Sequence, residues 1–348
     1  TGACFMRFLG FILISFIFFS CKKENTETDM IFPINEESTS LIKIPKGFPE
    51  LDPIIEKNIT PAKVALGKKL FFDPILSRTG KISCGSCHKK NIAFTDGRAF
   101  PEGVDGQLGN RSSPSLVNLA WSTEFMWSGG PQSLEAQVVL PFDDHREFDL
   151  SRVDAVDKLL VITEYVELFD EAYNEKANPT LLTNAIAMYE RTIVSGNSNF
   201  DKFEYQGNKS ALSANALKGK TLFSSEKFKC NHCHVAPLFT NFEFINNGIY
   251  SSVGDSGRYA ITIHSPDKGK FKVPTLRNIE VTMPYMHDGR FKTLEEVIDF
   301  YGSGGGKYIT QDSRITQKDI SKEEKAALVA FLKSLTDQSF LTSRSYTY

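Results

Sequence analysis

The chain carries no excess of charge: its 40 Lys and Arg stand against 42 Asp and Glu, a formal net charge of -2 at pH 7. Basic residues are scattered among acidic ones, so no positive stripe exists to grip a phosphate backbone, and no nucleic-acid partner is expected. Apolar runs long enough for a bilayer are missing too. The run from Phe8 to Phe19 would reach only about 18 Å as a helix, short of the roughly 30 Å of a membrane core. Cysteine is sparse: of six, Cys4 and Cys21 flank the apolar run near the start and the other four form two C-x-x-C pairs, which leaves none for a disulfide framework. Alternation with a period of two is scarce, which argues against a fold built on sheets. What remains, at 41% hydrophobic and 24% charged residues, is ordinary globular composition with length for about two domains.

The first residues do not read as fold. Met6 and Arg7 lead into the apolar run, which ends at Ser20-Cys21 before a polar stretch beginning Lys22-Lys23. This resembles a bacterial lipoprotein signal in which Cys21 becomes the lipidated first residue, with an ordinary cleaved signal peptide as the alternative. Residues 1–21 are therefore expected to be a signal segment with a short upstream extension, and 22–43 a polar linker. The mature protein is expected on the periplasmic side of a bacterial envelope, held to a membrane only by that lipid.

Beyond the linker the chain says the same thing twice. ALGKKLFF at 65–72 is echoed by ALKGKTLF at 216–223, and each is followed by a C-x-x-C-H, CGSCH at 84–88 and CNHCH at 230–234. AFT and SPSLVN follow the first copy, LFT and VPTLRN the second, in the same order. From Asn118 and Asn278 onward the copies run in step without a gap. A duplicated module follows, with 149–201 as the connection. That connection has apolar residues at helical spacing, from Val156 to Phe169 and from Leu181 to Ile193. Ser321 and Glu324 form a capping box before another such stretch. The expected fold is mainly α, two cytochrome-c-like halves with long loops and a haem in each.

In an exported chain, C-x-x-C-H reads as covalent haem attachment: two thiols one helical turn apart add to the porphyrin vinyl groups, and the adjacent histidine supplies an axial nitrogen. Zinc would want a second thiol pair nearby, and a redox dithiol a βαβ setting. Cys84, Cys87 and His88 are thus expected to hold one haem, and Cys230, Cys233 and His234 another. His145, His232 and His264 are expected to be solvated.

The copies diverge where chemistry would be decided. Thr293 opens a capping box with Glu296, and a helix from there carries Tyr301, whose phenolate oxygen can close the second iron; Met283 and Met286 compete for that role. In the first copy Ser133 caps the equivalent helix, Pro141 stands in the position of Tyr301, and the helix is expected to end near Leu140. Proline offers no donor atom. The first iron is therefore expected to be open and the second closed.

These residues resemble the bacterial di-haem cytochrome c peroxidase family, including its branch that matures methylamine dehydrogenase. The resemblance runs from about Leu66 to Leu335 and rests on both C-x-x-C-H sites, KVPTLRN at 272–278, PYMHDG at 284–289, TLEEVIDFY at 293–301 and ERTIVSGNSNFD at 190–201. It implies a domain over 44–200 with the peroxide-binding haem, a domain over 201–338 with the electron-transferring haem, and a tail over 339–348. It further implies Trp127 between the haems, a distal trio of Gln137, Pro141 and Glu147, and His287 near the second haem's propionates. Glu147 would move the proton in peroxide cleavage. A calcium ion is implied on Thr282, Pro284 and, where the family has asparagine, Ser112. Many members carry a histidine that blocks the first site until reduction; Val104 stands there and cannot ligate iron. Tyrosine at 301, where the typical peroxidase has methionine, resembles the maturation branch. The implied partners are hydrogen peroxide and a small donor protein, a cytochrome c or copper protein, and a homodimer is in keeping with the family. Three readings stand: a peroxidase, a peroxide-dependent oxidase of a protein or small molecule, and a di-haem electron carrier.

Overall fold

Helix starts follow the cap residues written in the sequence. The Thr60 hydroxyl accepts the Lys63 N–H and Asn178 Oδ1 accepts those of Thr180 and Leu181, each just ahead of a proline that lacks an N–H to satisfy. The capping boxes Thr293–Glu296 and Ser321–Glu324 both form. The computed structural model describes residues 41–252 and 254–346, so the signal segment with Cys21 and most of the linker lie outside the described residues. The first part of the described chain contains α1 (Pro53–Asn58), α2 (Pro61–Phe72), α3 (Cys84–Cys87), α4 (Leu134–Asp143), α5 (Arg152–Leu160), α6 (Thr163–Tyr173) and α7 (Pro179–Arg191). The second contains α8 (Asn199–Glu204), α9 (Ala214–Phe223), α10 (Tyr259–Thr262), α11 (Leu294–Ser303), α12 (Lys322–Lys333) and α13 (Gln338–Thr342). Among the described residues the only sheet is an antiparallel pair, β1 (Phe244–Ile245) with β2 (Phe271–Lys272). The fold is mainly helical, as expected.

Two helix crossings organise the core, and each depends on a glycine. A Cβ placed on Gly67 of α2 would sit 1.8 Å from the Ala185 carbonyl oxygen of α7, and one on Gly219 of α9 would sit 1.9 Å from that of Ala327 in α12. Any side chain there forces the helices apart. Tyr189 packs beside the first crossing and Phe331 beside the second, followed by Ile193 and Leu335, which accept the N–H of Asn118 and Asn278 at 2.8 and 3.1 Å. Both asparagines take left-handed backbone, φ 63° and 59°, a conformation their short polar side chains tolerate. The residues expected as a mere connection thus include α7, a core helix of the first half.

Around the first crossing Leu66, Leu70, Phe71, Phe94 and Leu182 form one apolar cluster; around the second, Phe200, Phe223, Phe239, Leu328 and Phe331 form another. The segment expected as a tail joins the first cluster: Phe340 of α13 is buried 6.2 Å from Phe94, and the Tyr189 hydroxyl donates to the Tyr346 carbonyl at 3.1 Å. Backbone bonds also join segments far apart in the chain. Ser112 donates its N–H to the His287 carbonyl, and Lys272 donates its own to the Trp127 carbonyl, both at 2.7 Å.

Helix α4 corrects one expectation. It does not stop near Leu140 but runs through Pro141 to Asp143. The reason is the returning chain: Asp144, Phe148 and Leu150 donate their N–H groups to the carbonyls of Leu140, Pro141 and Phe142 at 3.0 to 3.3 Å, so the last turn stays satisfied. That same return brings Glu147 back beside the end of the helix, where its neighbour Phe148 bonds the Pro141 carbonyl.

Candidate haem and peroxide site

Both C-x-x-C-H segments line one cavity of about 500 Å³. Cys84 and Cys87 bracket the single turn of α3, and the His88 N–H closes it on the Cys84 carbonyl at 2.9 Å. His88 Nδ1 lies 2.8 Å from the Phe94 carbonyl and also bonds that of Pro114. His234 Nδ1 lies 3.1 Å from the Phe239 carbonyl and 3.2 Å from that of Pro274. An imidazole that gives its Nδ1 proton to a carbonyl keeps Nε2 as the lone-pair nitrogen an iron needs. Burial holds both rings neutral, depressing His88 and taking His234 down to about 4. Burial also pushes the Cys84 thiol far up and those of Cys87 and Cys230 to about 12. Paired thiols and tautomer-fixed histidines on the wall of a largely apolar cavity fit covalently attached haem.

On the first side, Gln137, Pro141 and Glu147 share that wall. Burial lifts the Glu147 carboxyl to about 7, the charge of Asp144 adding to the lift and Arg146 opposing it. Gln137 Nε2 lies 3.7 Å from Met126 Sδ. Val104, 1% exposed, donates its N–H to the Glu147 carbonyl at 3.2 Å, while Arg78 pairs with both Asp105 and Asp149. The loop that could carry a blocking histidine is thereby tied to the loop that carries Glu147.

On the second side, burial pushes the Tyr301 hydroxyl up to about 12, partly offset by Asn247. Asn247 Nδ2 lies 3.4 Å from that hydroxyl and 3.5 Å from Met286 Sδ, so the two candidate ligands share one amide. Met283 is 46% exposed. Between the sides, the Trp127 indole donates to the Ser112 carbonyl at 2.8 Å and its ring lies 6.3 Å from that of His287. His287 is buried, stacks on Phe271 at 3.7 Å and has Nε2 3.1 Å from the Tyr250 hydroxyl. His145, His232 and His264 are exposed.

The family profile described as di-haem cytochrome c peroxidase matches residues 61–210. The methylamine utilization protein MauG of Methylorubrum extorquens is 38% identical over 281 residues, covering 80% of this chain and 79% of that protein. The chain belongs to the di-haem cytochrome c peroxidase family. The cytochrome c551 peroxidase of Nitrosomonas europaea is 33% identical over 289 residues, covering 80% and 82% of the two chains. A solved MauG-like protein associated with microbial copper homeostasis superposes with a TM-score of 0.81 at 31% identity, over 88% of this chain and 98% of that one.

Membership of this family makes two c-type haems the cofactors. The calcium implied by the resemblance fits less well. Thr282, Pro284 and Ser112 offer three neutral oxygens where calcium takes six to eight, and the Ser112 hydroxyl already donates to the Met286 carbonyl at 2.9 Å. Nearby carboxylates are engaged elsewhere, Asp288 with Arg290 and Glu280 with Thr336. Among the described residues no group of three or more His, Cys, Asp or Glu converges as a metal cage would, and no helix is long and apolar enough to cross a membrane. Sequence reasoning missed Met126, Asn247 and Glu190 on the cavity wall. Setting α7 on α12 could have revealed the last, since a glutamate there faces a leucine.

Proposed function

We propose that this chain is an exported di-haem peroxidase that reduces hydrogen peroxide to water at its first haem with electrons from a small redox protein, entering through the second haem. The two halves, 44–200 and 201–338, are read as a duplication; the paired glycine crossings and the paired asparagines support that reading. One observation carries the assignment of chemistry: a half-buried carboxyl on the cavity wall, Glu147, lifted to about 7 and sharing that wall with a donor-free proline. When bound, haem supplies the metal centre and the store of oxidising equivalents. The protein's own contribution is proton management. Glu147 accepts the proton of the incoming peroxide and returns it to the departing oxygen, a role a carboxyl near neutrality fills in both directions. Gln137 can turn its amide from Met126 to hydrogen-bond the peroxide. Pro141 leaves the approach clear, and Trp127 with His287 fills the space between the halves with aromatic side chains.

Tyr301 favours a second reading, in which peroxide drives oxidation of a protein or small molecule as in the maturation branch. A phenolate stabilises oxidised iron and lowers its potential, which suits storage of oxidising equivalents better than electron entry. Steady-state consumption of peroxide with reduced cytochrome c separates the two. Rapid turnover supports the peroxidase; reaction with stoichiometric peroxide but negligible turnover supports the oxidase. Mass spectrometry that finds no attached porphyrin sinks both. Tyr301→Phe tests the ligand: electron paramagnetic resonance should lose one low-spin signal, whereas an unchanged spectrum assigns the iron to Met286.

A further inference from the structure

Glu190, on α7, is 4% exposed, and its Oε2 is buried without a hydrogen-bond partner. The side chain forms part of the cavity wall and acts on the Cys84 thiol through its charge. Leu332 occupies the corresponding turn of α12: it follows Phe331 as Glu190 follows Tyr189, and it too lines the cavity. A largely apolar cavity wall is served by leucine, and a lone buried carboxyl there is costly. An acid stands on one side where the other has an apolar residue.

The neighbours do not compensate for it. Arg191 puts its guanidinium on Glu135 at 2.6 and 3.1 Å. The Tyr189 hydroxyl is spent on the Tyr346 carbonyl. Cys84, which feels the charge of Glu190, supplies no positive charge to offset it. Glu190 Oε2 is therefore left without a hydrogen-bond partner in a residue that borders the cavity.

We propose that Glu190 sets the midpoint potential of the haem at Cys84, Cys87 and His88, and takes up one proton when that haem accepts one electron. This rests on the two-haem reading. The electron comes from the donor protein and the proton from solvent, so the buried pocket gains no net charge on reduction. An ionised Glu190 favours the oxidised haem and a protonated one the reduced haem. Burial holds the carboxyl up at about 8, Arg191 lowering it and Glu135 raising it, so proton uptake falls in the working range of pH. Leu332 can do none of this for the second haem, so the two sides would differ at this helix turn as well as at Pro141 and Tyr301.

Redox titration of the purified holoprotein tests the idea, with the first haem followed by its high-spin absorption and the second by its low-spin absorption. In the wild type the first midpoint should fall as pH rises, approaching a tenfold change in the reduction constant per pH unit, or about 59 mV for one electron. Glu190→Gln should flatten that slope and leave the second midpoint unmoved, and Glu190→Leu, which reproduces the second half, should do the same. The difference infrared spectrum should also lose the carboxyl band gained on reduction. A wild-type midpoint independent of pH, or a slope retained in Glu190→Gln, overturns the proposal while leaving the two-haem reading intact. Absence of two attached haems overturns both.

Discussion

Glu147→Gln should lower kcat/KM for hydrogen peroxide by about a hundredfold or more, because it removes the carboxyl proposed to move a proton between the two peroxide oxygens. The amide keeps the shape of the carboxyl and its backbone bonds, in which the Glu147 N–H meets the Asp144 carbonyl and the Glu147 carbonyl meets Val104. Folding gives no rival explanation for lost activity. The folded carboxyl, lifted to about 7, binds its proton more tightly than the unfolded one, so the fold loses stability as pH rises from the unfolded value toward 7 and regains it on acidification. Glutamine removes that penalty, and the variant should be at least as stable as the parent at neutral pH.

The same shift fixes the shape of the pH profile. Below about 7 the wild-type carboxyl is protonated and cannot accept the peroxide proton; above it, it can. The rate constant should therefore climb through that region to a plateau, and the climb should vanish in Glu147→Gln. Retention of wild-type turnover by the variant, with its acid limb intact, would end the assignment of Glu147.

Much of this site was legible because its chemistry is local in sequence. For one porphyrin to meet Cys84, Cys87 and His88, as proposed, they would have to be neighbours, so such a motif survives as a word, and the same would hold for Cys230, Cys233 and His234. Caps such as Ser321 with Glu324 are equally short in range. What escaped was long in range. Helix α7 shares no word with α12; the two share a place to rest on, the carbonyls of Ala185 and Ala327 over Gly67 and Gly219, and such a match appears only when helices are laid across each other. The passage of α4 through Pro141 depends on N–H groups from Phe148 and Leu150, which a rule about proline alone does not contain. Glu190 was hidden for the opposite reason: a glutamate near a helix end reads as solvated until its neighbours close over it.

Arg277→Leu should cost about 3–5 kcal/mol, the range expected when one partner of a buried ion pair is removed and the other stays charged. Arg277 and Asp201 are both fully buried, joined by two parallel bonds of 2.8 and 2.9 Å. Arg277 Nε donates to the Pro237 carbonyl at 2.7 Å, and the guanidinium lies 4.6 Å from the Phe48 ring centroid. Asp201 would keep only Ser198, whose N–H and hydroxyl reach the same Oδ2. Lysine cannot replace the fork, since a single ammonium does not reproduce two parallel bonds and the stacking. Removing both charges together, as in Asp201→Leu with Arg277→Leu, should recover much of the loss, because no lone charge remains. Denaturant midpoints of the parent, both single variants and the double variant measure this coupling directly. A loss below about 1 kcal/mol in Arg277→Leu would mean that water reaches Asp201 and that the pair is not the clamp its burial implies. The clamp also bears on the second haem. Arg277 lies three residues after Pro274, whose carbonyl holds His234 Nδ1, and directly before Asn278, whose N–H meets Leu335. Loosening that loop should broaden the low-spin signal of the second haem while the first keeps its spectrum.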